Sequence, residues 1–589
     1  MRNLFSTTLT ALALIAIPTF AQEAPPIPAA PTGTLLQAEA DPSAENATLI
    51  DDVGAMGTQA VALRGDWNRI MVPVPPGEAF RVWVRYKNGP MALKGTGGGE
   101  QKELKWNFDS PKDWAWTDFG TYERGELGDN IVLMREKQND KPDPTVDAIV
   151  FAPDVVRPLP PFAPDAAAAP LAVKASVNWD ESAGRLAPEL WGVNDYEVLT
   201  PEKAADAGLG EFLRQTHFPM IRIHEGGFSD RWTRAETRGW DVEKIRAGFA
   251  GSSGYGDAKI MLNIARWPGW LQQGDYLPPE KTEEFVQLVG QLVTILRDAK
   301  RPIAYWELLN EKEAAYEKLG KMDELYDLYN RLAREVKRRD PNARVGGPAM
   351  SWPNPVWVEG FLRNCAQNAD FITYHNYGSG EIYDSNEALF TKPAAFARSA
   401  ETVREAVNKY APDRPFETFL TEYNVKWTWT PFERRHANNV GAVFMASTLN
   451  HLSKTSVNGV MHWHLKGYYY GMIDDENVPR PAARLYSWGT HYLIGDIARS
   501  DSDNELLELL PITRADGARS VLLTNKAAQT VSAPAAATLL PCRAGEAAWM
   551  ERLDATNFNS PGANASGAIA PGALMLPGYS VTLLSVAPK

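Results

Sequence analysis

The chain has 589 residues, too many for one hydrophobic core, so about three domains are expected. A formal net charge of −13 at pH 7 argues against nucleic acid or a polyanionic surface as the main partner, while leaving room for a locally basic cleft. The 19 tryptophans, 45 glycines and 43 prolines suit loops and β-sandwiches, and the two cysteines, Cys365 and Cys542, have no metal-ligand spacing and read either as one disulfide or as two free thiols.

Residues 1–21 read as a signal peptide: Arg2 gives the positive start, Leu9 to Ile17 the apolar core, and Thr19-Phe20-Ala21 a small-residue cleavage site. The apolar stretch is too short to span a bilayer, so a secreted or periplasmic protein without membrane insertion is expected. Residues 22–34 form a Pro/Ala-rich tether. Over 35–155, short alternating runs such as Ala79–Tyr86 and Ile131–Met134, punctuated by Gly, Pro and Asp, predict a β-sandwich. A Pro/Ala-rich stretch over 156–172 reads as a stiff, solvated linker.

The texture then changes to alternating strands and helices from Pro188 to about Asp496, within a barrel domain drawn over 173–498. The candidate strands are Leu190–Asn194, Met220–His224, Ile260–Ile264, Ala304–Glu311, Arg344–Ala349, Phe371–Tyr377, Phe416–Tyr423 and Gly459–His464. Amphipathic helices such as Glu280–Lys300, Met322–Arg339, Ala395–Lys409 and Ala437–Leu452 fill the gaps. Eight such units predict an α/β fold, a (β/α)8 TIM barrel, in preference to a doubly wound open sheet, which would carry a Gly-rich phosphate fingerprint. Short strands return over 499–589 and predict a C-terminal β-sandwich, to which the strand-like Leu171–Trp179 could also contribute.

Chemistry in such barrels sits at the C-terminal strand ends. There the fourth candidate strand presents Glu311 and the seventh Glu422, and a carboxyl pair is what glycosidic cleavage needs: one protonated to aid the leaving oxygen, one ionised to attack the anomeric carbon. Alternation puts Glu307 on the face of Glu311, Arg222 with His224, and His375 with Tyr377. Trp267 and Trp270 after the third strand, Trp427 and Trp429 after the seventh, and Trp463 on the eighth are either packing residues or sugar platforms. His462 and His464 have the opposite parity to Trp463, and Asp474, Asp475 and Glu476 follow as hydroxyl-selecting or solvated side chains.

These strings resemble clan A retaining glycoside hydrolases, and most closely family 39. Trp306-Glu307-Leu308-Leu309-Asn310-Glu311 is similar to that family's Trp-Glu-x-x-Asn-Glu pattern. Ile221-Arg222-Ile223-His224, Tyr374-His375-Asn376-Tyr377, Val345-Gly346-Gly347-Pro348 and Thr421-Glu422-Tyr423-Asn424 fit the same family. Leu309 stands where an aromatic is common, Lys312 where proline is usual, and Glu225-Gly226-Gly227 resembles family 51 instead. The resemblance implies double displacement on β-glycosidic bonds, with Glu311 as acid/base and Glu422 as nucleophile, the ionised Glu422 raising the pKa of Glu311. It further implies that Asn310 meets the sugar 2-hydroxyl, that Arg222 and Tyr377 orient Glu422, and that His224, His375, Trp463, Trp267 and Trp427 line the substrate site. Arg222 has an alternative reading as a purely internal ion pair with Glu307.

Leu36-Gln37-Ala38-Glu39-Ala40 and Asp147-Ala148-Ile149-Val150-Phe151 resemble galactose-binding-like carbohydrate-binding modules, which implies a structural calcium near Glu39 and Asp147. Trp106, Trp114 and Trp116 are its candidate sugar platforms or core residues. The barrel itself requires no cofactor. The competing expectations are a non-catalytic polysaccharide-binding protein on a decayed barrel and a polysaccharide lyase. The sequence leaves open the sugar and linkage, exo or endo action, and the oligomeric state.

Overall fold

In a computed structural model of the chain, the described residues are 33–38, 48–52, 54–56, 59–64, 68–97, 101–107, 111–135, 142–153, 159–196, 201–224, 231–250, 255–272, 274–298, 303–429, 432–556, 569 and 572–586. The expected signal peptide, most of the tether, Glu39 and Glu225-Gly226-Gly227 lie outside them. The chain divides into two compact units, residues 1–157 and 158–589.

The first unit pairs a six-stranded with a four-stranded antiparallel sheet. Along Ala79–Lys87, Phe80, Val82, Val84 and Tyr86 turn inward against Ile131, Leu133, Ile149 and Phe151, so period-two alternation builds the expected sandwich. The odd member is Arg85, buried and paired with Asp147. Asp147 has its Oδ2 on Arg85 and its Oδ1 on the Met56 amide at 2.9 Å. Both oxygens of Asp147, the residue expected near a structural calcium, are thus engaged within the sandwich. Trp114 has the Arg85 and Lys87 cations over its ring at 5.2 and 4.6 Å, while Trp106 packs on Ala92, Val132 and Met134.

In the second unit a closed parallel barrel is formed by β1 Gly192–Asp195, β2 Met220–Ile223, β3 Lys259–Ile264, β4 Tyr305–Leu308, β5 Arg344–Met350, β6 Phe371–Ser379, β7 Glu417–Lys426 and β8 Gly459–His462. Its interior is layered. Met220, Met261, Tyr305, Phe371, Phe419 and Met461 form an apolar floor, with the Tyr305, Phe371 and Phe419 rings meeting edge to face at 5.2–5.6 Å. Two residues further along their strands, Arg222, Asn263 and Glu307, with Asn194 from β1, make a buried polar layer. The outer strand faces and the helices, including Pro279–Asp298 and Asn439–Leu452, share one large apolar core.

Not all of 173–498 is barrel, a correction to the expected boundary. Ala175–Leu186 pairs with Gly495–Ser502 at the edge of the C-terminal six-stranded sheet, because its alternating apolar side chains, Ala175, Val177 and Trp179, find cover on the C-terminal core and not on the barrel. The end of the expected solvated linker is also tied down. Pro160 and Pro161 carbonyls accept from Arg434 (2.9 Å) and Asn386 (2.5 Å), and the Asp165 amide donates to Ala528 at 2.7 Å. Cys365 is buried, Cys542 is exposed, and the two do not pair. Among the described residues no helix is long and apolar enough to cross a membrane.

Candidate active site

β4 ends at Leu308, so Glu311 sits on a turn beyond the strand and not on its face. Leu309 and Glu311 adopt left-handed backbone, φ 71° and 52°, which costs a non-glycine residue roughly 1–2 kcal/mol each. Neighbouring strands hold the turn in place. The Asn263 amide donates to the Leu309 carbonyl at 2.9 Å, the Leu309 N–H to Ile264 at 3.1 Å and the Glu311 N–H to Ala349 at 2.9 Å. The turn aims Glu311 and Asn310 into a cavity of about 730 Å³ at the C-terminal end of the barrel.

Glu422 lies across that cavity on β7, clamped from below. Arg222 reaches its Oε1 at 2.8 Å, and the Tyr377 hydroxyl donates to its Oε2 at 2.8 Å. The same guanidinium donates to Glu307 at 2.5 Å, to Asn194 Oδ1 at 2.8 Å and to Asn310 Oδ1 at 2.7 Å. Both readings of Arg222 therefore hold: it is an internal ion pair with Glu307 and also the clamp on Glu422. With its oxygen on Arg222, Asn310 has its Nδ2 donor free of that contact and beside the cavity.

His375 is fully buried, with Nδ1 hydrogen-bonded to Glu311 Oε1 at 2.7 Å and Nε2 standing 3.4 Å from Glu422 Oε1, so it lies between the two carboxyls instead of lining the cavity. An oxygen of each glutamate and a His375 nitrogen lie within 4.8 Å of one another. This trio is of metal-ligand type, but the buried Arg222 cation beside it already supplies the positive charge. The electrostatics reverse the sequence expectation. Burial pushes the Glu311 carboxyl up, but the His375 hydrogen bond and the charges of Arg222 and Lys312 outweigh it and hold the carboxyl below its ordinary range. Burial raises Glu422, and the charge of Glu311 adds to it against His375, Arg222 and Tyr377. The two carboxyls shift in opposite directions because Glu422 is the deeper of the two: its side chain is 6% exposed against 43% for Glu311.

Of the other expected site residues, His224, Tyr377, Trp463 and Trp427 line the cavity, and Trp427 is 61% exposed at its mouth. Trp267 does not. It is buried edge-on to Phe285 at 5.9 Å, and its face carries the Lys312 ammonium at 5.3 Å, so it positions Lys312. Trp270 likewise packs on the core and donates to Glu284 at 3.3 Å. β8 stops at His462, so strand parity no longer governs Trp463 and His464: Trp463 lines this cavity, His464 a neighbouring one, and His462 packs on Tyr423 and Tyr486. Asp474 accepts the Glu476 and Val478 amides of its own turn. Sequence reading missed Tyr196, Arg266, Asp275, Ser351, Trp352 and Asn376 as lining residues. Tyr196, Arg266, Ser351 and Trp352 stand just beyond barrel strands, Asn376 lies on β6, and Asp275 comes from the longer segment after β3.

The closed barrel of eight parallel strands thus presents one carboxyl just beyond its fourth strand and one on its seventh. Residues 267–468 match the family described as glycosyl hydrolases family 39. A β-xylosidase of Geobacillus stearothermophilus is 24% identical over 284 residues, 43% of this chain and 54% of the relative, so the chain spans about half the length of that curated relative. Two solved structures share the fold. One is a glucosidase from Croceicoccus marinus (TM-score 0.55, 17% identity, 72% of this chain and 100% of that one). The other is a family 51 arabinofuranosidase from Xanthomonas axonopodis pv. citri (TM-score 0.52, 15% identity, 71% and 100%).

Proposed function

We propose that the protein is a retaining glycoside hydrolase acting on β-glycosidic bonds, with β-xylosides as the first substrate class to test. The observation that carries this reading is the Glu311–Glu422 pair, an oxygen of each within 4.8 Å, facing one cavity. That spacing suits direct attack on the sugar, whereas an inverting pair stands roughly 6.5–9.5 Å apart to admit a water. The clamp of Arg222 and Tyr377 supports Glu422 as the nucleophile, since it fixes the carboxylate and favours its ionised form.

A glycosidic oxygen seated against the more open Glu311 accepts a hydrogen bond from it and favours its protonated form, while the clamp keeps Glu422 ionised for attack. The C–O bond to the leaving group breaks as Glu422 forms its ester with the anomeric carbon and Glu311 gives up its proton. Once the ester forms, the charge of Glu422 is gone and Glu311, stabilised by His375, is a carboxylate ready to deprotonate the incoming water. The Asn310 Nδ2 donor is placed for the sugar 2-hydroxyl. The family match and the β-xylosidase relative support the β-xyloside class. The leader-like residues 1–21 support action outside the cytoplasm, and the N-terminal sandwich supports a polymeric or oligomeric substrate.

The test is turnover of aryl β-xylosides, β-glucosides and α-arabinofuranosides by wild type, Glu422→Ala and Glu311→Ala. Glu422→Ala is expected to lose at least about 10⁴-fold in kcat and to regain turnover with azide, giving a product of inverted configuration. Glu311→Ala should lose on the order of 10²–10⁴-fold, least on the best leaving groups. Undiminished activity in either variant would remove the paired-glutamate mechanism, and polysaccharide binding without any turnover would favour a decayed barrel.

A further inference from the structure

Lys312 stands next to the catalytic pair, and neither step of the reaction uses it. It follows Glu311, lines the same cavity and is only 6% exposed. A buried ammonium needs acceptors for three N–H groups. Among the described residues one side-chain oxygen accepts from it, Asp275 Oδ1 at 2.6 Å, and the Trp267 ring lies 5.3 Å from its charge. The Asp275 side chain is itself 60% exposed, so water screens much of the neutralisation it offers. The ammonium therefore keeps donors and charge for whatever fills the cavity. Apart from the two glutamates, the charged residues lining that cavity are Arg266, Lys312 and Asp275, a local positive excess in a chain whose net charge is −13.

The direction of attack decides which part of a substrate meets Lys312. Glu422 attacks in line, so the leaving oxygen departs from the opposite side of the anomeric carbon, against Glu311. Glu422 is on β7, whereas Lys312 is anchored beyond Glu311 by Trp267 and Asp275, both from the segment after β3. Groups attached to the leaving oxygen therefore face Lys312, while the transferred sugar lies between the carboxyls. Proline, usual at this position in the family that the strand motifs resemble, offers neither donor nor charge. The present partner of the ammonium is a carboxylate, and a second carboxylate can take its unused donors.

We propose that Lys312 selects substrates whose leaving group carries a carboxylate, as a uronic acid does, with Asp275 holding the ammonium in place beside it. This rests on the glycosidase reading above. The experiment measures kcat/KM of wild type, Lys312→Met and Asp275→Asn on 4-nitrophenyl β-xyloside and on its 3-carboxy-4-nitrophenyl counterpart, in whichever glycone is turned over. The ratio of charged to neutral substrate is taken within each protein, which cancels any change in Glu311 common to both. That ratio should fall at least about tenfold in Lys312→Met, the worth of one charge-assisted hydrogen bond. In Asp275→Asn it should rise, because a competing carboxylate is gone. This second variant alters an exposed side chain and keeps the lysine, so it guards against misfolding of Lys312→Met.

An unchanged ratio in Lys312→Met would overturn the proposal, since a lysine that only ties two segments together affects both substrates alike. A ratio that does not rise in Asp275→Asn would also count against it. If wild type turns over no aryl glycoside, the glycosidase reading fails by itself, and calorimetry with sodium glucuronate and with glucose then decides the Lys312 site. Glucuronate bound at least about tenfold more tightly than glucose by wild type, with that preference lost in Lys312→Met, supports it. An equal ratio in both proteins refutes it.

Discussion

Glu313 lies two positions beyond Glu311, fully buried, with neither carboxylate oxygen hydrogen-bonded by another side chain. Burial pushes its pKa up to about 8, with the charge of Glu311 adding to the shift and Lys312 opposing it. The folded protein therefore keeps a proton that the unfolded chain loses near pH 4.5. Stability contributed by this group is full below that value, falls by about 1.4 kcal/mol per unit as pH rises, and levels off above about 8. Glu313→Gln does not titrate, so it should remove that part of the decline between pH 4.5 and 8. Urea unfolding midpoints of both proteins across that range check this, and parallel slopes would refute it. The same scale explains why the acid/base pair could be named from sequence but its protons could not. Asn-Glu and Thr-Glu mark the two carboxyls, whereas their opposite shifts come from the burial of Glu422 and from His375, which stands 64 residues from Glu311 and touches it only in the folded barrel.

At the scale of elements, the turn beyond β4 is decided by its neighbours. A period-two pattern carried through Glu311 predicts a strand face, but Leu309 and Glu311 turn left-handed, and Asn263 on β3 supports the bend. Asn263→Ala should cost only about 1 kcal/mol of stability, the worth of one hydrogen bond. Its kcat/KM should fall on the order of 10–100-fold, because a carboxyl displaced by an ångström loses alignment with the bond it protonates. Denaturation and kinetics of the one variant separate the two effects. Equal loss of stability with unchanged kinetics would mean that the turn holds itself. The eight strands and most helices were legible because burial on a barrel is periodic. Strand ends were not, since bulges such as the one between Tyr374 and His375 reset parity.

Over the whole molecule, barrel and C-terminal sheets form one unit, and Glu508 is a main tie between them. From the strand Leu507–Thr513 it accepts hydrogen bonds from Ser447 (2.9 Å), Asn450 (3.2 Å) and His451 (3.1 Å) of the barrel helix Asn439–Leu452, and from Lys526 (2.6 Å). Burial works to raise its pKa, but His451 and Lys526 outweigh it and bring the pKa to about 2. A depressed carboxyl contributes stability that is complete above about pH 4.5 and lost as pH falls towards 2. Glu508→Gln should therefore cost up to roughly 3 kcal/mol at pH 7 and flatten acid unfolding between those limits. Thermal melts at pH 7 and pH 3 test this, and an equal deficit at both would show a packing effect instead of a charge effect.

Alternation and motif spacing determined the barrel, the flanking sandwiches and the paired glutamates, because each is a local pattern along the chain, and the support by Arg222 and Tyr377 was implied by the family resemblance. Only the tertiary structure decided that Trp267 supports Lys312 and does not face sugar, that His375 links the two carboxyls, and that Ala175–Leu186 belongs to the C-terminal sheet. It also decided that Tyr196 stands between two cavities. These depend on which side chains meet across strands far apart in sequence, and closure of the barrel is the physical event that brings them together.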